Sequence, residues 1–256
     1  MYLLVIGAAL IGGTLLTYSF DHSASLPQRL CLAAFLGFCP LGLVCLVLAS
    51  FFGLTTPTII AASLITLTPL ALLRGASVRA NLVADLRKTI VAIREMILLR
   101  DRRALGELLF FTLLAALCWR FFHFAVEERP DGIFTGVDNN YFDLPVHLGI
   151  IYGFLDGNNF PPIHPEYAGA RLTYPFLIDF LAAVLMRGGM SLAGAIFFQN
   201  MVFALAMAGV MYRWARQMTK SALAALLSVV LILFNGGAGW WLLAEQAWRE
   251  GWRKLP

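Results

Sequence analysis

A chain of 256 residues that is 60% hydrophobic and only 13% charged lacks the polar residues needed to cover a water-exposed surface, which excludes a soluble globular domain. The formal charge of +4 does not point to nucleic acid, because the basic residues sit between apolar runs, where an anionic leaflet surface is their natural partner. The composition therefore predicts an all-α fold, a polytopic transmembrane helical bundle, since backbone groups in hydrocarbon must bond within their own segment.

Taken in chain order, apolar runs at about 2–18, 30–52, 57–73, 108–126, 191–212 and 221–234 or slightly beyond predict six spans, a crossing needing roughly 20 residues. The first run lacks a basic n-region and a small-residue cleavage site, so it is expected to be retained as a span. Cys31, Cys39, Cys45 and Cys118 lie in or at the edge of these runs without CxxC spacing and read as small packing residues. Residues 1–73 form an N-terminal three-helix segment, 74–107 a basic connector, and 108–256 a membrane core with a large external loop at 127–190.

The connector carries eight Lys or Arg against four acids, which places it in the cytoplasm. Within it Leu82, Leu86, Ile90, Ile93, Ile97 and Leu98 recur at helical spacing among basic residues, the pattern of an amphipathic helix lying on the membrane. The apolar run 172–186 is short, contains Asp179 and begins near Pro175, so it is expected to be half-inserted or surface-lying instead of a seventh crossing. That choice puts both termini outside. Trp240, Trp241, Trp248 and Trp252 after the last span suggest an interfacial aromatic belt.

The external loop holds eight of the fifteen acids against three arginines, and loops on a rigid scaffold are where chemistry concentrates. Two runs stand out: Gly136-Val137-Asp138-Asn139-Asn140-Tyr141-Phe142-Asp143-Leu144-Pro145-Val146-His147, and Asn158-Asn159-Phe160-Pro161-Pro162-Ile163-His164-Pro165-Glu166-Tyr167, followed by Arg171 and Tyr174-Pro175. A carboxylate here could take a hydroxyl proton, and nearby cationic or polar groups could hold a departing phosphate. Asp138 and Asp143 are the candidate catalytic residues. His147, His164, Glu166, Arg171, Tyr174 and Arg120 are candidate substrate contacts. Plainer roles stand beside these: Asp143 before Leu144-Pro145 suits a helix cap, Asp138 suits a turn, His147 a surface position, Glu166 and Tyr174 loop fixing, and Asp179 either a buried hydrogen bond or a substrate contact. A divalent cation could use Asp138, Asp143 and His147, hard cations preferring carboxylate oxygen, although the spacing specifies none.

The order of these parts resembles the C-type membrane glycosyltransferases, which use polyprenyl-phosphate sugars. The matching parts are the helix at 108–126, Asp138 with Asp143, Pro161-Pro162, Tyr174-Pro175, the Arg213 to Lys220 turn and the helix at 221–234, covering roughly 108–240. The acids here are spaced Asp-x-x-x-x-Asp, wider than the family's commoner pairs, and the expected six spans are fewer than its members usually have, so the chain reads as an N-terminal portion. The resemblance implies transfer of a sugar from a lipid-linked donor to an acceptor on the outer face, at the plasma or inner membrane, with an external-loop Asp as general base. Membrane lipids are the other expected partner, and nucleic acid is not. The rival expectation is a non-catalytic polytopic protein, a transporter component or assembly scaffold, whose acidic loop binds a partner.

Overall fold

The computed structural model describes residues 1–98, 101–136, 142–234 and 239–250. The fold is all-α: ten α-helices among these residues, one 3-10 segment and a single two-stranded hairpin. Two compact units divide the chain, residues 1–210 and 211–256.

In the first unit, α1 (Tyr2–Thr17) and α2 (Leu26–Phe52) form a close antiparallel pair. Asp21 ends the first helix's excursion, its Oδ1 accepting from the backbone N–H groups of Ser23 and Ala24, and Gln28 Oε1 accepts from the Ser25 N–H where α2 starts. Gly53, at φ 70°, closes α2 in a conformation that favours glycine. The Thr55 hydroxyl then accepts from the Thr58 N–H to open α3 (Thr56–Thr66). Pro69 lies where the α-helix gives way to a 3-10 segment, Thr68–Arg74.

Small residues let α1 and α2 approach, as they do where helices pack without a hydrophobic drive between them. A Cβ on Gly37 would overlap the Ala9 backbone, whereas one on Gly7 would meet nothing within 4 Å. Gly37→Ala is therefore expected to destabilise the protein by about 1–3 kcal/mol. Gly7→Ala should be neutral or slightly stabilising, and thermal unfolding in detergent compares the two.

The basic connector is α4 (Ala76–Ile97), and α5 (Arg102–His123) follows, capped by the Asp101 carboxylate on the N–H groups of Arg103 and Ala104. A hairpin, β1 (Glu127–Arg129) with β2 (Gly132–Phe134), leaves α5. Glu128 Oε2 accepts from the Ala193 N–H in the first turn of α8, favourable chemistry at a positive helix end. Next come α6 (Leu144–Leu155), α7 (Leu177–Arg187) and α8 (Leu192–Thr219). The core of this unit lies where α1, α2, α6 and α7 meet, and Phe154, Phe180 and Leu41 are among its largest fully buried side chains.

Among the described residues four segments are long and apolar enough to cross a membrane: Leu26–Phe52, Thr56–Arg74, Arg102–His123 and Leu192–Thr219. These make the chain a helical membrane protein, but two of the six expected spans fall short. The first helix has 16 residues and the ninth, α9 (Ala222–Leu233), has 12. At 1.5 Å per residue they reach about 24 and 18 Å, less than the ~30 Å of hydrocarbon.

The expectation for 172–186 needs a different correction. Its helix is 11 residues long, too short to cross, as expected, but Phe180 to Leu185 are all packed inside the protein, at most 3% exposed. Residues 172–176 lie outside the helix, and the Leu172 N–H donates to Pro162 O, because Pro175 disfavours an earlier start.

In the second unit, Lys220 takes φ 56° at the turn and the Ser221 hydroxyl accepts from the Ala224 N–H to cap α9. The last helix, α10 (Gly239–Glu250), exposes Trp241 and Trp248, while the side chain of Trp240 and all of Trp252 lie outside the described residues. The four cysteines are free.

Candidate functional site

One turn into α6, His147 meets Asp179 from the first turn of α7. Its Nδ1 lies 2.9 Å from Asp179 Oδ1 and 3.1 Å from Oδ2. A carboxylate accepts only, so Nδ1 carries the proton and donates, leaving Nε2 as the ring's second polar atom. Asp179 is 3% exposed, and a buried carboxylate without such a partner would be strongly destabilising. The edge of Tyr174 packs on the imidazole with centroids 5.6 Å apart.

The hydrogen bond to Asp179 raises the His147 pKa above its usual 6.5. Burial opposes this in part, while the charges of Asp179 and then Asp143 add to the rise. The imidazolium is thus favoured more than in a free histidine.

His147 and Asp179 sit on the wall of a cavity of about 320 Å³. Phe121 and Phe122 of α5, Leu144 and Ile151 of α6, Ile178 of α7 and Ile196 of α8 make its apolar lining, and Gln199 and Asn200 of α8 complete the polar part. Gln199 is 6% exposed, and its Oε1 has no hydrogen-bond partner among the described residues. A buried amide oxygen left unpaired costs about 1–3 kcal/mol. Such a residue in a cavity wall is a candidate for function because stability alone does not account for it. An apolar chamber with a few convergent polar groups is the usual form of a small-molecule site.

The expected residues divide into three groups. Asp138 lies outside the described residues. Asp143 stands at the head of α6, exposed and without a side-chain capping bond, and it acts on His147 through its charge without lining the cavity. His147 and Tyr174 come together with Asp179. His164, Glu166 and Arg171 belong to a separate loop that folds on itself: the His164 N–H donates to Ala170 O, the Glu166 N–H donates to His164 Nδ1, and Ile163 pairs with Arg171. Arg120 is exposed on α5, its guanidinium 4.1 Å from the Phe124 ring centroid, and does not line the cavity. Among the described residues no group of three His, Cys, Asp or Glu side chains is arranged to hold a metal ion, and the expected cation set includes Asp138.

Gln199 and Asn200 were not among the sequence candidates. Their signal was present, two adjacent amides inside the apolar run 191–212, where polar residues are commonly functional. Comparison with known proteins finds no matching family model, no matching curated protein and no matching solved structure.

Proposed function

We propose that this membrane protein transfers a sugar from a polyprenyl-phosphate donor to an acceptor hydroxyl at the outer face of the plasma or inner membrane. The observation that carries this reading is the imidazole of His147, fixed by Asp179 on the wall of an apolar cavity. A lipid phosphate needs both parts, hydrocarbon-compatible walls for the first prenyl units and a cation for the phosphate.

In this reaction the acceptor oxygen attacks the anomeric carbon, its proton passes to a carboxylate, and the bond from that carbon to the phosphate oxygen breaks with its electron pair leaving on the phosphate. His147 Nε2 donates to that phosphate as its charge grows. Asp143 at the head of α6, or Asp138 five positions before it, is the base, and attack opposite the leaving group inverts the anomeric centre.

The test assays Asp138→Asn and Asp143→Asn separately in membranes supplied with labelled lipid-linked sugar. Loss of transfer in one variant identifies the base. Full transfer by both, with normal insertion, overturns the mechanism.

A further inference from the structure

The connector helix α4 divides lengthwise into three sectors. Leu82, Asp85 and Thr89 are buried or half-buried on its inner edge. Beside them Val83, Leu86, Ile90, Ile93 and Ile97 form one stripe at alternating spacings of three and four, exposed by 43% to 71%. Arg87 and Arg94, seven positions apart, border the far side of that stripe, and neither makes an ion pair among the described residues.

Three attachments set the level of this helix relative to a membrane. Ala76 follows Arg74, the end of one segment long enough to cross, by two positions, and Arg102, the start of the next, follows Ile97 by five. In its middle Asp85 is ion-paired at 3.0 Å with Arg29, in the first turn of the crossing helix α2. A 22-residue helix joined at both ends and tied near its centre to the ends of segments long enough to cross is restricted to the level of those ends.

We propose that α4 is an interfacial lipid-binding helix, its apolar stripe lying in one leaflet and Arg87 and Arg94 on the phosphates of anionic lipids. The charge balance favours this occupant. The acids of α4 are Asp85, which is buried on Arg29, and Glu95, against Arg79, Arg87, Lys88 and Arg94. Arginine reaches from an apolar contact to a headgroup by laying its stem along the hydrocarbon boundary. Lipid binding by α4 is independent of sugar transfer at the cavity.

The experiment uses the full chain in phosphatidylcholine vesicles containing phosphatidylglycerol, with an environment-sensitive fluorophore on Ile90→Cys or on Val91→Cys, and wild type as the labelling blank for the native cysteines. Ile90 lies in the stripe, and Val91, 57% exposed, lies on the far side of Arg87 and Arg94 from it. Emission from position 90 is expected to shift to the blue and to be lost to bromine-labelled lipids, while position 91 keeps its aqueous emission. Bromine carried on phosphatidylglycerol should quench position 90 more than bromine on phosphatidylcholine, and Arg87→Gln with Arg94→Gln should lower that preference by about fivefold for each charge removed. Aqueous emission at both positions overturns the proposal. So does cross-linking of Ile90→Cys between two chains in place of lipid quenching, because the same spacing would serve a second copy of the helix.

Discussion

Alanine in place of Asp85 is expected to destabilise the protein by about 3–5 kcal/mol, the loss found when one member of a buried ion pair is removed. Asp85 Oδ2 accepts from Arg29 Nε at 3.0 Å and from the Tyr18 hydroxyl at 3.1 Å. Arg29 in turn donates to Thr17 Oγ1 at 3.1 Å and to the Asp21 carbonyl at 2.8 Å, with its guanidinium 3.8 Å from the Tyr18 ring centroid. The two residues are 2% and 8% exposed, so without Asp85 the guanidinium would stay enclosed with its main counter-charge gone. The same loss frees α4 from the end of the α1–α2 pair. Thermal unfolding in detergent measures the first effect, and faster tryptic cleavage at the arginines of α4 reports the second.

The cluster has a diagnostic counterpart. Replacing both partners, Arg29→Met with Asp85→Leu, should recover most of the stability, because apolar side chains of similar bulk relieve the desolvation of both ions. If the double variant is as unstable as Asp85→Ala, the ion pair is not what Asp85 contributes. If Asp85→Ala is itself neutral, the Arg29–Asp85 contact is not present in solution.

How much of this was legible in the sequence depends on the range over which each residue acts. The apolar runs marked the crossing helices because hydrophobicity is summed locally, and Ser25-Leu26-Pro27-Gln28 and Thr55-Thr56-Pro57 carry their start signals within four residues. Length failed at α1 and α9, whose apolar runs at 2–18 and 221–234 were already short of a full crossing and form helices of 16 and 12 residues.

Periodicity in α4 pointed to an apolar face, but nothing local marked Asp85 as buried, since the partner that buries it is 56 residues away. Asp179 was conspicuous as a charge in an apolar run, yet its pairing with His147 spans 32 residues and depends on how α6 packs against α7. The loop acids presented the opposite case. Asp143 stood out by type and position, whereas the cavity it neighbours is built by helices whose convergence no local pattern encodes. Gln199 could have been found from its polarity alone, but its unpaired oxygen is a property of the packed state.

The Asp179→Asn variant is expected to keep the fold and to lose about 2 kcal/mol of binding to a prenyl phosphate, roughly thirtyfold, the range of a hydrogen bond to a charged group. Asparagine preserves the shape, and its carbonyl can still accept from Nδ1, but the charge that favours the imidazolium is gone. The groups around His147 are few: Asp143 on α6, Asp179 on α7, Tyr174 just before α7, and the uncharged Gln199 and Asn200 on α8. Because folding raises the His147 pKa, its stabilisation is fully present below the unfolded value of about 6.5 and is lost as pH rises through the folded value. Wild type should therefore exceed Asp179→Asn in stability most at about pH 5, and the gap should close in alkaline solution. Phosphate binding should follow the same course, with its upper limb moved toward lower pH in the variant. Titrating a short-chain prenyl phosphate against both proteins across this range measures the shift, and identical pH profiles would mean that His147 does not carry the charge that holds the phosphate.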